Sequence, residues 1–148
     1  MFEEPRELSV IFHIDTNRIN SRGTLANMNK LEHWADQGLI LLCMSKVAHE
    51  EARAGGDQVR ASKALASVFS ETMADTPDER NRLAAIEAIL FPSGAQTQNQ
   101  RNDVEIAFNA GKYGAFLVTA DGHLLAHRSE LGQLGICLAG VYKISAVG

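Results

Sequence analysis

The chain has 148 residues, of which 45% are hydrophobic and 22% are charged, and this composition predicts one globular domain spanning residues 1–148. Its formal net charge of -4 excludes general electrostatic attraction as the main force for binding nucleic acid, so such binding would need a local surface patch. The acidic start MFEEPREL is unlike a secretory signal, and the longest unbroken apolar run, residues 39–44, is too short to span a membrane. We therefore expect a cytoplasmic protein, with Cys43 and Cys137 as buried free thiols.

The first predicted elements alternate between strand and helix. An apolar run predicts a strand over residues 8–14, which ends at the polar triplet DTN at 15–17. A helix over about 24–36 follows, and Gly38 lies just after it, as is common at helix C-termini. Residues 39–44 then form a second strand that is apolar on both faces, which is typical of a parallel sheet covered by helices.

The rest of the chain continues this alternation with more helix. The sequence Thr76-Pro77 followed by Glu79 is a strong start signal for a helix that ends before the turn at 92–94. The other predicted elements are helices over 45–54 and about 58–73, a polar loop over 95–100, a helix over about 102–112, a strand over 116–119, a helix containing Leu124, Leu125 and Leu131, a strand over 135–138, and an edge strand over 141–146.

Strands that alternate with helices predict a three-layer α/β/α sandwich with a mostly parallel sheet of four or five strands. Asp15 and Asp121 each follow a predicted strand, so both would lie at the carboxyl edge of that sheet. Ligands of open α/β sheets bind along this edge, where the strand order reverses. Each Asp is also explained by the preference of this residue for turns.

Two further acids are predicted to approach this edge from helices. Asp103 shares a helix face with Ile106 and Ala110, so it should point toward the sheet, unless it caps its helix. Glu51 lies among small and apolar neighbours on its helix, whereas Glu50 falls on a more exposed stripe. We therefore predict Glu51 as the inward acid and keep Glu50 as the alternative.

Asp15, Glu51, Asp103 and Asp121 together form a candidate catalytic and metal-binding site. Four carboxylates close together cannot all remain ionised without cations. A set of ligands made only of oxygen atoms suits Mg²⁺ or Mn²⁺. Such ions activate water and stabilise displacement at phosphorus, so the candidate chemistry is phosphodiester hydrolysis.

The four motifs resemble those of the PIN-domain ribonucleases, over roughly residues 9–140. The first-strand Asp of that family matches Asp15 in DTN, and its helical Glu after the second strand matches Glu51. Its third acid, at the head of a helix rich in Ile and Ala, matches Asp103 in NDVEIAFNA. Its Thr-x-Asp motif at a strand end matches Thr119 and Asp121 in LVTADGHLL.

The resemblance implies a PIN-like fold and a metal-dependent endoribonuclease with Mg²⁺ or Mn²⁺ as cofactor and RNA as substrate. It also implies an antitoxin protein, as in toxin–antitoxin pairs, and a second copy of the chain as candidate partners. Asn17 and Thr119 would be supporting residues that orient a carboxylate or a water molecule. Ala52 replaces the larger apolar residue of many relatives, and residues 56–100 are longer than in compact toxin-type members.

Several alternatives remain open. A haloacid-dehalogenase-like phosphatase or a receiver-like phosphotransfer domain would also place an Asp after the first strand, and a PIN-like module could bind RNA or protein without cleavage. His123 and His127 have a spacing that suits zinc, but no third ligand is evident. Basic residues near the predicted edge are candidate phosphate contacts or solvated surface: Arg18, Arg22, Arg101 and Lys112.

Overall fold

A parallel β-sheet forms the centre of the protein. The structure, a computed structural model, describes residues 10–18, 25–54, 68–70, 74 and 76–139. The strands are β1 (Val10–Ile14), β2 (Ile40–Ser45), β3 (Val68–Ser70), β4 (Phe116–Val118) and β5 (Cys137–Ala139). The helices are α1 (Ala26–Asp36), α2 (Lys46–Ala54), α3 (Pro77–Leu90), α4 (Gln98–Lys112), α5 (Gly122–Ala126) and α6 (Arg128–Gln133), and a 3-10 turn covers Thr16–Arg18.

The order of the strands creates a switch point beside β1. The five strands lie in the order β3-β2-β1-β4-β5, and every neighbouring pair is parallel. The chain builds the sheet from β1 outward through β2 and β3, then returns to the other side of β1 with β4 and β5. The carboxyl ends of β1 and β4 therefore border the crevice where ligands of such sheets bind. The predicted α/β architecture with a parallel sheet is confirmed.

The predicted helix over 58–73 is wrong at residues 68–70, which form β3. This segment pairs with β2 in the register Cys43↔Val68 and Ser45↔Ser70. Apolar residues four apart suggested a helix, but a short run cannot be assigned from spacing alone, and hydrogen bonding to a neighbouring strand outweighs such local preferences. The remainder of that predicted helix lies outside the described residues, as do positions 8–9 and the predicted edge strand over 141–146.

Local sequence signals also predicted helix boundaries, with two exceptions. Thr76 Oγ1 accepts a hydrogen bond from Glu79 N at 3.1 Å, so the predicted cap of α3 is confirmed. α4 begins at Gln98, earlier than predicted, because Thr97 Oγ1 accepts from Gln100 N at 3.1 Å and caps the helix inside the polar loop. The predicted helix after β4 is divided into α5 and α6 at His127.

The hydrophobic core lies on both faces of the sheet. Consecutive residues of a strand point to opposite faces, and the neighbours Leu117 and Val118 are both buried. Buried side chains from the helices complete the core: Met28 and Leu31 of α1, Ile86 and Leu90 of α3, Ile106 and Phe108 of α4, Leu124 of α5 and Leu131 of α6.

The environment of one cysteine differs from the prediction. Cys43 is partly buried on β2, whereas Cys137 is exposed at the first position of β5; both thiols are free. In the part of the chain that the structure describes, no helix is long and apolar enough to cross a membrane.

Candidate active site

Asp15 lies at the carboxyl end of β1, beside the end of β4. Its backbone N–H donates to Val118 O at 2.9 Å, which continues the pairing of the two strands. Its carboxylate is almost fully buried, with 4% of the residue exposed, and Oδ2 accepts a hydrogen bond of 2.7 Å from Thr119 Oγ1. Sheet pairing therefore brings an acid and a hydroxyl together from distant parts of the chain.

Asn17 connects the two strand ends. The 3-10 turn after β1 is closed by Arg18 N, which donates to Asp15 O at 2.9 Å. Asn17 Nδ2 lies 3.3 Å from Asp15 Oδ2 and 3.4 Å from Thr119 Oγ1, and Asn17 Oδ1 accepts from Ala120 N at 3.0 Å. The amide of Asn17 thus contacts the carboxylate, the hydroxyl and the backbone after β4 at the same time.

Asp121 has both a local role and a position in the cluster of acids. Its Oδ1 accepts from His123 N at 2.8 Å and from Leu124 N at 3.3 Å, so it caps α5. Its own backbone N–H donates to Thr119 Oγ1 at 3.0 Å. The cap uses a single oxygen of the carboxylate, so the turn preference of Asp and a place in the site are compatible.

Helices α2 and α4 present the remaining two acids. Glu51 is half-buried and Glu50 is exposed. Glu51 Oε2 accepts a hydrogen bond of 2.9 Å from Asn102 Nδ2 on α4. Asp103, next to Asn102, is half-buried in the second turn of α4. The alternative prediction that Asp103 caps this helix is wrong, because Thr97 is the cap.

The charges of three other predicted site acids act on the carboxyl of Asp103. The pKa of this carboxyl is raised from 3.8 to about 7, mainly by burial and in addition by the negative charges of Asp121, Asp15 and Glu51. A group surrounded in this way holds a proton near neutral pH unless a cation compensates the charge. Among the described residues, however, no group of three or more His, Cys, Asp or Glu side chains is arranged so that it could hold a metal ion.

Two further acids, Glu50 and Glu105, lie on the same helices as Glu51 and Asp103. The pKa of Glu105 on α4 is raised by burial and then by the charge of Glu50. Sequence reasoning placed Glu50 on an exposed stripe, which agrees with the structure, but it did not pair Glu50 with Glu105. Only the packing of α2 against α4 brings these two carboxylates together.

The basic residues predicted as phosphate contacts and the two histidines considered for zinc differ in burial and in their contacts. Lys112 Nζ lies 3.5 Å from Glu79 Oε2, and Arg18 is half-buried, while Arg22 lies outside the described residues. His123 Nε2 is 2.7 Å from Leu90 O, and His127 Nδ1 is 2.9 Å from His123 O. A ring nitrogen that donates to a carbonyl oxygen is not available as a metal ligand in that state.

The fold is that of a PIN-like α/β domain. Two solved structures share this fold. VapBC2 from Rickettsia felis, bound to a DNA fragment from its promoter, matches with a TM-score of 0.58 and 18% identity over 88% of this chain and 98% of that one. A PilT N-terminus domain protein from Sulfolobus solfataricus P2 matches with a TM-score of 0.52 and 12% identity over 93% of this chain and 92% of that one.

These identities are low, so the likeness concerns the fold. No protein-family model matches the chain, and no curated protein matches it. The predicted resemblance to PIN-domain proteins is confirmed at the level of the fold.

Proposed function

We propose that the chain is a metal-dependent endoribonuclease whose site consists of Asp15, Glu51, Asp103 and Asp121. The main support is the environment of Asp103, whose pKa is raised to about 7 partly by the three other carboxylates. Asp15 and Asp121 follow β1 and β4, the two strands that border the switch point of the sheet, and Glu51 and Asp103 belong to α2 and α4. A cluster of this kind is costly for stability, and a functional role explains why it is present.

The chemistry of the cluster fits a hard divalent cation. Its donors are carboxylate oxygens, which suit Mg²⁺ or Mn²⁺ better than zinc. Like charges stay apart until a cation compensates them, so we expect the four side chains to move closer together when an ion binds. Asp15, Glu51, Asp103 and Asp121 would hold the ion between them.

Neighbouring polar residues would hold a ligand of this site in position for the bound ion. When bound, Mg²⁺ or Mn²⁺ would supply the activation of water for attack on an RNA phosphodiester. Thr119 and Asn17 hold Asp15 Oδ2 by hydrogen bonds, which fixes the most buried of the four acids. Because water and not the 2′-hydroxyl would be the nucleophile, the products should have 5′-phosphate and 3′-hydroxyl ends.

We also propose a protein partner of the antitoxin type. This proposal rests on the sequence resemblance to PIN-domain proteins, and one structure with this fold is VapBC2 from Rickettsia felis bound to a DNA fragment from its promoter. Pairing of two copies of this chain remains an expectation from the sequence resemblance.

The proposed activity can be tested with a mixed-sequence RNA in Mg²⁺, in Mn²⁺ and with a chelator. We expect cleavage only with metal, and loss of cleavage in Asp15→Asn. Glu50→Gln is the matched control, because it removes one exposed carboxylate from the same helix as Glu51 and should remain active.

The possible results separate the alternatives. Cleavage that persists in chelator, or in folded Asp15→Asn protein, would contradict the metal mechanism. If neither metal supports cleavage but RNA still shifts the protein in a gel, a PIN-like binding module is the better description. Hydrolysis of a small phosphomonoester instead of RNA would favour the phosphatase.

A further inference from the structure

Asn102 lies between the first turn of α4 and the Glu51 carboxylate on α2. Its Nδ2 donates to Glu51 Oε2 at 2.9 Å, and its Oδ1 accepts from Gln98 Nε2 at 2.8 Å. Gln98 Oε1 in turn accepts from Arg101 Nη2 at 3.3 Å. The three hydrogen bonds point in the same direction, from the guanidinium through two amides to the carboxylate.

This arrangement determines which way the Asn102 amide points. Its oxygen is used by Gln98, so its nitrogen must face Glu51. The amide also restricts rotation of the Glu51 side chain.

We propose that Asn102 is a positioning residue that holds Glu51 in the orientation needed for binding a divalent cation. This inference rests on the proposed function. A neutral amide suits the task, because a Lys or Arg at the same place would add a positive charge that competes with the cation for the carboxylate. Asn102 and Asp103 are adjacent on α4, so a single turn of helix supplies both a candidate ligand and the group that orients another.

The test measures Mn²⁺ binding directly, from the electron paramagnetic resonance signal of free Mn²⁺ in the presence of the full chain. Asn102→Leu removes both hydrogen bonds at similar volume, and we expect the affinity for Mn²⁺ to fall by about 10–100-fold, the usual effect of losing a residue that orients a metal ligand. Asn99→Leu is the matched control: Asn99 is exposed on the first turn of the same helix, and its replacement should leave the affinity unchanged.

A second variant, Gln98→Leu, leaves Asn102 in place but removes the group that fixes its amide. We expect a smaller loss of Mn²⁺ affinity than in Asn102→Leu, and this variant gives an answer even if Asn102→Leu fails to fold. Thermal unfolding without metal should be similar for all folded variants, because the affected bonds lie largely at the surface.

The outcomes distinguish this inference from the proposed function. If the wild type binds Mn²⁺ and Asn102→Leu and Gln98→Leu bind it equally well, the positioning role is wrong while the metal site remains. If the variants bind Mn²⁺ more tightly, Asn102 holds Glu51 away from the ion, and the inference is also overturned. If the wild type binds no Mn²⁺, the proposed function fails and the inference fails with it.

Discussion

Asp103→Asn should stabilise the protein in the absence of metal. In the folded protein the pKa of Asp103 is about 7, compared with 3.8 for an unperturbed Asp, because of burial and the charges of Asp121, Asp15 and Glu51. The folded state therefore binds this proton more tightly than the unfolded state does. Between pH 3.8 and pH 7 the unfolded chain releases the proton first, so the wild type loses stability as the pH rises through this window.

The size of the effect follows from the two pKa values. Their difference corresponds to about 4 kcal/mol for a group without solvent screening. Asp103 is only half-buried, so water and salt reduce the expected penalty to about 1–2 kcal/mol at pH 8. A neutral amide avoids this penalty at every pH. For a domain of this length, the variant should unfold about 4 °C higher than the wild type at pH 8, with little difference near pH 4.5.

The assay is thermal unfolding of the wild type and the variant from pH 4.5 to pH 8, in chelator and again with saturating Mn²⁺. Glu130→Gln is the control for general charge effects, because it removes one exposed carboxylate from α6. With Mn²⁺ the order should reverse, because an ion that binds the folded wild type stabilises it and the variant has lost a ligand.

A difference in melting temperature that does not grow with pH would refute the electrostatic argument for Asp103. A wild type that is the more stable protein at pH 8 in chelator would do the same. A growing difference in chelator without any reversal in Mn²⁺ would instead show that the acids repel one another but bind no ion.

Two further predictions concern neighbours of this site. Thr119→Val should lower the free energy of unfolding by about 2 kcal/mol, because the buried Asp15 carboxylate loses its 2.7 Å hydrogen-bond donor. Thr119→Ser keeps the hydroxyl and should lose less. Denaturant unfolding measures both variants, and equal losses would contradict this role of the hydroxyl. Burial lowers the pKa of His13 from 6.5 to about 4, so the unfolded chain binds this proton more tightly and stability is lost as the pH falls from 6.5 toward 4. His13→Leu should remove about 2 kcal/mol of this loss between pH 7 and pH 4.5, and a variant with the same acid sensitivity as the wild type would show that another group is responsible.

The sequence by itself determined the local features of the protein. The cap at Thr76 with Pro77 depends on contacts between residues a few positions apart, so a short pattern is enough to predict it. The apolar run of β2 and the alternation of strands and helices depend on burial and chain connectivity, which also leave local patterns. The choice of Glu51 over Glu50 as the inward acid followed from helical phase, and the structure places Glu51 half-buried and Glu50 exposed.

Only the tertiary structure decided the features that join distant parts of the chain. Residues 68–70 became a strand because β2 offered an edge with which to pair. The bond between Thr119 and Asp15 needs β1 and β4 to be neighbours, and the bond between Asn102 and Glu51 needs α4 to pack against α2. The pKa of Asp103 depends on burial and on charges from three other segments, and no local pattern records the distances that set it.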